Sequence, residues 1–482
     1  NSLQLQTRRQ FFQDCGIGIG KMALASLLAQ SGRLATGNAS SFVNPTAPIA
    51  PHFAPKAKRV IYLFMVGAPS QLELFDYKPK LAELEGKPIP PSVIKGQRYA
   101  FIQPDAAVLG PRFKFARHGQ TGEHLSEMLP HLSKVVDEIS LVRSVHTDLF
   151  NHAPAQLFAN TGSGIPGRPS MGSWLSYGLG STNQNLPGYI VMISKGRGQS
   201  QALYSRLWSS GFLPSRHQGV KFRSAGEPVL YLNNPAGVDS QDRRAFLDAI
   251  GQINQDKFDE VRDPEIETRI SQYEMAYRMQ TSVPELKDLS DEPDYIFDMY
   301  GPDAKKPGTF AYNCILARRM AERGVPFQQL FHRGWDQHGN LPNLIKLQCQ
   351  DIDQPASALV RDLKMRGMLK DTLVIWGGEF GRTPVVELPK PGSNQGKVNG
   401  RDHNHHGFTM WMAGGGVKGG YIHGSTDEFG FRAEEKPVHV HDLHATILHL
   451  LGFDHERLTY RYSGRDFRLT DVHGEIVHDL IA

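Results

Sequence analysis

Short apolar runs without hydrophobic–polar alternation recur along the chain, and each is followed by a glycine, a serine or a histidine. Strands that are buried on both faces of a parallel sheet show this pattern, whereas strands with one face in water alternate. Between the later runs, helical periodicity supplies the long connections that parallel strands need. The pattern therefore predicts an α/β protein with a mostly parallel central sheet. The predicted core strands are Arg59–Val66, Ile139–Val145, Tyr189–Ile193, Val325–Phe331, Thr372–Trp376 and Phe408–Ala413.

Side chains that can bind metal follow the runs Val325–Phe331 and Thr372–Trp376, and a third cluster lies at the entrance to Phe408–Ala413. Ligands in open α/β sheets bind at the carboxyl ends of the strands, so we expect the clusters to meet at one edge. Imidazole and carboxylate sets suit zinc or manganese, and carboxylates also accept magnesium or calcium. The pattern predicts one or two divalent ions, with zinc favoured. The candidate ligands are Asp336, His338, Glu379, Asp402, His403, His405 and His406.

The final cluster, residues 402–406, contains three histidines that could each bind metal. His403 and His405 lie two residues apart and so project from the same side of an extended chain. His406 leads directly into the next predicted strand. Sequence spacing does not decide which of the three histidines would bind a metal ion.

A further polar stretch, residues 146–156, connects the strand that ends at Val145 to a predicted helix. The start of a helix offers backbone N–H groups and a positive dipole end to an anion. His152 in this stretch has an intrinsic pKa near neutrality, which suits proton transfer. The alternative interpretation is that its histidines cap the helix and form hydrogen bonds within the loop.

Composition excludes several classes of protein. The chain has 482 residues, of which 40% are hydrophobic and 21% charged, values that are ordinary for a globular protein. The net charge is +4, and no block of lysine and arginine indicates a nucleic-acid partner. Beyond the amino-terminal segment, no run is long and apolar enough to predict a stable membrane span.

The amino terminus predicts export. Thr7-Arg8-Arg9-Gln10-Phe11-Phe12 precedes a weakly apolar segment, as in twin-arginine signals. We therefore expect an export signal over residues 1–37, recognised by the twin-arginine machinery, and a periplasmic or extracellular location. Residues 38–57 are predicted to be a linker. Residues 58–482 are predicted to form one catalytic domain, with insertions at about 77–120 and 194–300.

The order of these segments resembles the alkaline phosphatase superfamily, which includes sulfatases and cofactor-independent phosphoglycerate mutases. Residues 371–381 resemble the sulfatase strand that ends at a metal-binding aspartate, a position held here by Glu379. The most specific resemblance is to exported, sulfatase-like bacterial proteins called domain of unknown function 1501. It rests on Gly67–Asp76, Gly334–His338 and Gly377–Pro384. The resemblance implies an alkaline-phosphatase-like three-layer α/β/α sandwich with long loop insertions.

The resemblance also implies catalytic roles. Asn151 to Gln156 has the spacing of the sulfatase Cys-x-Pro-x-Arg segment, with His152 at the cysteine position and Gln156 at the arginine position. No cysteine or serine is present there for conversion to formylglycine. The implied catalytic residues are His152, Asn151 and Arg382, with His152 as nucleophile or general acid/base. Arg382 is expected to hold the anionic group of the substrate by charge-assisted hydrogen bonds.

Two functions from different classes follow. The first is an exported, metal-dependent hydrolase of phosphate or sulfate esters that acts on an anionic small molecule or polysaccharide without formylglycine. The second is a non-catalytic anion- or polysaccharide-binding protein on a degenerate sulfatase-like scaffold. The superfamily's metal-binding aspartate is missing after the first strand, where Gly67 and Ala68 stand, and this favours the second. The density of candidate ligands favours the first. Substrate, metal and oligomeric state stay open.

Overall fold

The computed structural model describes residues 47–94, 106–197, 201–223, 226–229, 233–235, 237–386 and 399–482. The predicted export signal lies outside these residues, as do residues 38–46 of the predicted linker. The strands are β1 (Arg59–Val66), β2 (Phe115–His118), β3 (Glu123–Ser126), β4 (Ile139–His146), β5 (Tyr189–Lys195), β6 (Val220–Phe222), β7 (Phe327–Arg333), β8 (Thr372–Gly377), β9 (Gly381–Val386), β10 (Arg401–Asn404), β11 (Phe408–Ala413), β12 (Tyr421–His423), β13 (Ser425–Thr426), β14 (Ala433–Glu435), β15 (Val438–His439), β16 (Tyr460–Tyr462) and β17 (Arg465–Phe467).

The α-helices are α1 (Gln71–Leu74), α2 (Pro79–Glu83), α3 (Pro91–Ile94), α4 (His152–Thr161), α5 (Met171–Leu179), α6 (Ser240–Val261), α7 (Pro264–Lys287), α8 (Asp294–Tyr300), α9 (Phe310–Glu322), α10 (Leu341–Met365) and α11 (Val440–Leu450). Short 3₁₀ helices are Leu132–Glu138, Ser205–Trp208, Ser215–His217, Leu369–Asp371 and His478–Leu480. Among the described residues, no helix is both long and apolar enough to cross a bilayer.

A nine-stranded sheet forms the centre of the molecule, in the order β12-β4-β11-β8-β1-β7-β5-β6, with β15 also paired to β4. β1 pairs in parallel with β7 and β8, and β5 pairs in parallel with β6 and β7. β11 is reversed, because it pairs antiparallel with both β8 and β4. The predicted α/β fold with a mostly parallel sheet is confirmed.

The side chains of β1 show why its run is continuously apolar. Ile61, Leu63 and Met65 join the core on one face of the sheet, together with residues of α9 and α10. Tyr62 and Phe64 join the core on the other face, with residues of α4, α5 and α11. Both faces of the sheet are therefore covered by helices, which is the expected three-layer α/β/α arrangement.

The reversed direction of β11 decides where the preceding histidines lie. Phe408, the first residue of β11, pairs with Val145 near the carboxyl end of β4. The start of β11 therefore reaches the same edge of the sheet as the ends of the parallel strands. In a parallel orientation, its entrance would lie at the opposite edge. The antiparallel hairpin of β9 and β10 leads into β11 at this edge and pairs His403 with Arg382.

Candidate metal centre

Four buried side chains meet at this edge and could hold a metal ion. One ligand atom from each of His152, Asp336, His338 and His403 lies within 4.8 Å of the others. His152 is the first residue of α4, and Asp336 and His338 follow the end of β7. His403 lies on β10. We call these four residues the candidate metal centre. Asp336, His338 and His403 were predicted as metal ligands, whereas His152 was predicted as a catalytic residue.

The separations within the candidate metal centre are short. Oδ1 of Asp336 lies 3.1 Å from Nε2 of His152, 2.9 Å from Nε2 of His338 and 3.7 Å from Nε2 of His403. The Nε2 atoms of His338 and His403 are 2.9 Å apart. In a tetrahedral zinc site with metal–ligand bonds of about 2.0–2.1 Å, the ligand atoms lie about 3.3 Å from one another. Three imidazoles and one carboxylate at these separations fit a divalent ion in both chemistry and spacing.

Glu379, two residues beyond β8, forms a hydrogen bond with the ring of His152 and fixes its orientation. Its Oε1 lies 2.7 Å from Nδ1 of His152 and also accepts hydrogen bonds from the backbone N–H of Gly67 and from Nε2 of Gln156. Nδ1 of His152 therefore carries a proton, and Nε2 faces Asp336. A carboxylate that orients a histidine in this way is common behind metal ligands. Glu379 thus reaches the candidate metal centre through His152.

The surroundings of His152 also change its affinity for protons. Burial lowers the pKa of His152, but the hydrogen bonds to Asp336 and Glu379 more than offset this effect and leave the pKa above its ordinary value. For Asp336, burial raises the pKa, whereas Arg382 and the three histidines hold it far below the usual carboxyl range. Asp336 is therefore ionised, as a metal ligand must be.

His403 is held neutral with a defined tautomer. Its Nδ1 lies 2.8 Å from the carbonyl oxygen of Phe150, so Nδ1 carries the proton that is donated there. Burial, followed by the positive charge of Arg382, lowers the pKa of His403 well below the ordinary value. The lone pair at Nε2 then points toward His338 and Asp336. This is the state of a histidine that can bind metal.

All four residues of the candidate metal centre are buried, and they differ slightly in exposure. His152 and His403 keep 8% and 6% of their surface exposed, whereas Asp336 and His338 keep 3% and 1%. The ring of Phe380 packs against both His152 and His403, with centroids 4.9 and 4.8 Å away. Phe380 therefore covers the two more exposed members of the candidate metal centre.

Arg382 lies behind the candidate metal centre and is fully buried. Its Nη2 donates to Oδ1 of Asp336 at 2.8 Å. Other N–H groups donate to backbone carbonyl oxygens, among them those of Gly67 and Ala68, and Nη1 also lies 3.4 Å from Nε2 of His338. The guanidinium is thus bonded within the protein at the position where the resemblance would have it hold a substrate anion.

Other predicted site residues lie near the centre but outside the four-residue group. Asp402 is fully buried, and its Oδ1 accepts a hydrogen bond from the backbone N–H of His403. His405 donates through Nδ1 to the carbonyl oxygen of Thr147, and its ring stacks on His406 at 3.8 Å. Asn151 is an exposed residue that precedes the first turn of α4. Their predicted metal-binding or catalytic roles stay predictions.

Some contacts at the site were not expected from the sequence. Gln201 donates through Nε2 to Oδ2 of Asp336, and the amide of Gly67 donates to Glu379. Gln201 lies in the predicted insertion at about 194–300, whose spacing marks no single residue. A backbone N–H leaves no signal in a sequence. Phe380 was visible only as part of the motif around Glu379.

Comparison with known proteins identifies the family. A family model described as "Protein of unknown function (DUF1501)" matches residues 57–481. The chain belongs to this family. The family membership predicted from the motifs is confirmed. The matched region covers nearly all of the described residues. No curated protein matches the chain in sequence.

Solved structures with a similar fold are sulfatases and members of the alkaline phosphatase superfamily. The PsFucS1 sulfatase from Pseudoalteromonas sp. is 14% identical over 90% of this chain and 71% of its own, with a TM-score of 0.34. A protein in the alkaline phosphatase superfamily from Vibrio parahaemolyticus is 11% identical over 91% and 76%, with a TM-score of 0.34. The TAB5 alkaline phosphatase mutant is 12% identical over 75% and 92%, with a TM-score of 0.30. Similarity at these identities and TM-scores supports no conclusion about activity.

Proposed function

We propose that the protein is an exported, metal-dependent hydrolase of phosphate or sulfate esters that does not use formylglycine. The observation that carries the proposal is the convergence of four buried ligand atoms, three imidazole nitrogens and a carboxylate oxygen, at the edge of the sheet. Asp336, His338 and His403 would hold a divalent ion there, and such an ion would supply polarisation of an ester oxygen. Zinc fits the donor set best, and manganese, magnesium and calcium are the alternatives.

Three of the four residues suffice to hold the ion. Asp336, His338 and His403 form a two-histidine, one-carboxylate set, and catalytic zinc sites characteristically use three protein ligands. His152 is then the reactive side chain. Glu379 holds its Nδ1 proton, so Nε2 is the atom that either attacks the ester or moves a proton. This division leaves a coordination position for the substrate.

The second candidate function is the non-catalytic anion-binding protein. If Nε2 of His152 binds the ion as well, the ligand set has four members and is closed, as in structural zinc sites. A closed centre would stabilise the fold without hydrolysing an ester. The low exposure of His152, 8%, is the observation that favours this candidate.

Replacing His152 by alanine separates the two functions. If His152 is the reactive group, the variant keeps the wild-type amount of bound metal and loses hydrolysis by about 10²–10⁴-fold, the usual contribution of acid/base catalysis. The screen uses aryl phosphates, phosphodiesters and aryl sulfates, with metal content measured by elemental analysis. His455→Ala is the matched control, because His455 is as buried as His152 but bonds to Thr470, outside the four-residue group, and should leave both measurements unchanged.

Two outcomes of this screen contradict the hydrolase. Wild-type protein that binds metal but turns over none of the three ester classes would support the binding protein. Wild-type protein that holds no stoichiometric metal would remove the basis of both functions. A His152→Ala variant that loses its metal together with any activity would assign His152 to the ligand set instead.

The hydrolase proposal also specifies a substrate class and a cellular location. The substrate would be an anionic small-molecule or polysaccharide ester encountered outside the cytoplasm, after transport by the twin-arginine machinery. Replacing Arg8 and Arg9 by lysine in the full chain should retain the protein in the cytoplasm. Fractionation of cells that express both forms measures this, and equal export of the two would contradict the proposed route.

A further inference from the structure

The two carboxylate oxygens of Asp336 have different surroundings. Oδ1 faces the candidate metal centre, where it lies 3.1 Å from Nε2 of His152 and 2.9 Å from Nε2 of His338. Arg382 also donates to Oδ1. Oδ2 accepts a hydrogen bond from Nε2 of Gln201. A carboxylate held in this way offers one oxygen to a metal ion, whereas a carboxylate without such a bond can offer both.

The backbone of Gln201 is anchored to the strand that precedes Asp336. Its carbonyl oxygen accepts a hydrogen bond from Nε of Arg333 at 3.1 Å. Arg333 is the last residue of β7, and Asp336 follows three residues later. Both partners of the Gln201–Asp336 hydrogen bond are therefore attached to the same end of β7, which limits how far they can move apart.

The segment that begins with Gln201 is also attached to the other side of the candidate metal centre. The hydroxyl of Tyr204 donates to the carbonyl oxygen of Ala153 at 2.7 Å, and Ala153 follows His152 in the first turn of α4. Trp208, further along the segment, is buried in the core. The segment is thus fixed both at the end of β7 and at the start of α4, so the Gln201 amide has a defined position.

A fixed second oxygen matters because metal ions differ in how they use carboxylates. Zinc takes few ligands, whereas calcium takes about six to eight oxygens and accepts both oxygens of one carboxylate. Groups that form hydrogen bonds with metal ligands change metal affinity by about 10–100-fold. The amide of Gln201 should therefore favour an ion with few ligands over calcium.

We propose that Gln201 is a positioning residue of the candidate metal centre, which holds Oδ2 of Asp336 so that Asp336 binds a metal ion through Oδ1 alone and zinc is favoured over calcium. The inference rests on the proposed metal-dependent function and specifies how the chain selects its ion. It also gives the predicted insertion at about 194–300 a part in the site.

The metal selectivity of the full chain tests the inference. Gln201→Met nearly keeps the length of the side chain but removes the donor. The dissociation constants of zinc and calcium are measured for wild type and variant by competition with chelators. We expect the ratio of zinc affinity to calcium affinity to fall by about 10–100-fold in the variant, because Oδ2 of Asp336 becomes free to bind an ion. A ratio within about threefold of wild type would overturn the inference, since a general loss of structure weakens both ions alike.

Gln252→Met is the matched control. It removes a hydrogen bond of the same kind, from Nε2 of Gln252 to Oδ1 of Asp256, on the exposed surface of α6. The control should keep the wild-type ratio of affinities. An equal fall of the ratio in the Gln201 and Gln252 variants would contradict a specific role for Gln201.

The structure of the zinc-loaded wild-type protein provides a test that needs no variant. We expect Oδ1 of Asp336 on the ion and Oδ2 on the amide of Gln201. Both oxygens on the ion, or Gln201 turned away from Asp336, would overturn the inference. This test decides if Gln201→Met does not fold, as a melting curve would show.

The outcomes distinguish this inference from the proposed function. A changed ratio of affinities without ester turnover in the wild type would support the inference and contradict the hydrolase. Ester turnover with an unchanged ratio in Gln201→Met would overturn the inference alone. A wild-type chain that binds no metal ion would overturn both.

Discussion

His152 is fixed from both sides of its ring, and this determines which of its nitrogens can react. Nδ1 faces Glu379 at 2.7 Å and Nε2 faces Asp336 at 3.1 Å. Because Glu379 Oε1 also accepts from Gly67 and Gln156, the carboxylate cannot rotate without losing three hydrogen bonds. The reactivity of His152 therefore depends on a residue that need not touch the substrate.

Glu379→Gln tests this dependence. The amide has nearly the same shape but no charge, so its pull on the Nδ1 proton of His152 weakens. We expect ester hydrolysis to fall by about 10–100-fold, the usual cost of changing a residue that orients a metal-site histidine. The melting temperature should change little. Steady-state kinetics and a melting curve measure the two effects.

Glu428→Gln is the control for this substitution, because Glu428 is 63% exposed and lies in a surface ion pair. It should leave hydrolysis unchanged. Wild-type activity in Glu379→Gln would show that the hydrogen bond to His152 is not needed for the reaction.

Sequence reasoning placed some of these residues correctly and could not place others. Asp336, His338 and Glu379 each follow a buried parallel strand, so the direction of the strands alone brings them to one edge. His403 and His405 could not be separated, because both precede the same strand. The structure puts His403 in the four-residue group and turns His405 toward Thr147.

At the scale of elements, the turn after β1 allows the loop that carries Asp336 to approach β1 closely. Gly67 has a φ of +110°, a conformation that residues with a side chain rarely adopt. A Cβ added there would lie 2.5 Å from the backbone nitrogen of Asp336. The turn therefore lets the loop after β7 approach β1 closely enough to bring Asp336 into place. Here a glycine stands where the resemblance would have a metal-binding aspartate.

Gly67→Ala should disturb both the fold and the metal centre. The added methyl group pushes on backbone that cannot move aside as a flexible side chain could, and the positive φ adds strain of about 1–3 kcal/mol. We expect a lower free energy of unfolding together with weaker metal binding, measured by urea denaturation and by competition with a chelator.

Gly86→Ala is the matched control for this prediction. Gly86 also has a positive φ, +77°, but a Cβ there would meet nothing within 4 Å. It should lose stability through strain alone and keep wild-type metal affinity. Equal metal affinity in the Gly67 and Gly86 variants would contradict the proposed support of Asp336 by this turn.

The direction of β11 could not be predicted from the sequence. Its apolar run predicts a buried strand but carries no sign of whether that strand is parallel or antiparallel to β8. The hairpin of β9 and β10 sets the reversal, and residues 387–398 within that connection lie outside the described residues. The fold class and the six predicted core strands followed from the hydrophobic pattern, whereas this orientation depended on long-range pairing.

At the scale of the whole molecule, the candidate metal centre joins segments that are far apart in the chain. His152 opens α4, Asp336 and His338 follow β7, and His403 belongs to the β9–β10 hairpin. In the unfolded chain these ligands are separated, so an ion that binds them together favours the folded state. Bound metal should therefore stabilise the whole described sheet and not only its edge.

Metal removal should lower the melting temperature of the wild-type protein. An ion present at about a thousand times its Kd stabilises the folded state by about 4 kcal/mol, and chelation removes this contribution. We expect melting in EDTA to occur several degrees below melting in zinc or manganese, with recovery when the ion is restored. The double variant His338→Ala/His403→Ala lacks two of the three proposed ligands and should melt at the same temperature with and without EDTA, which separates ion binding from direct effects of the chelator. Identical melting of wild-type protein in EDTA and in metal would contradict the assignment of Asp336, His338 and His403 to an ion that connects these segments.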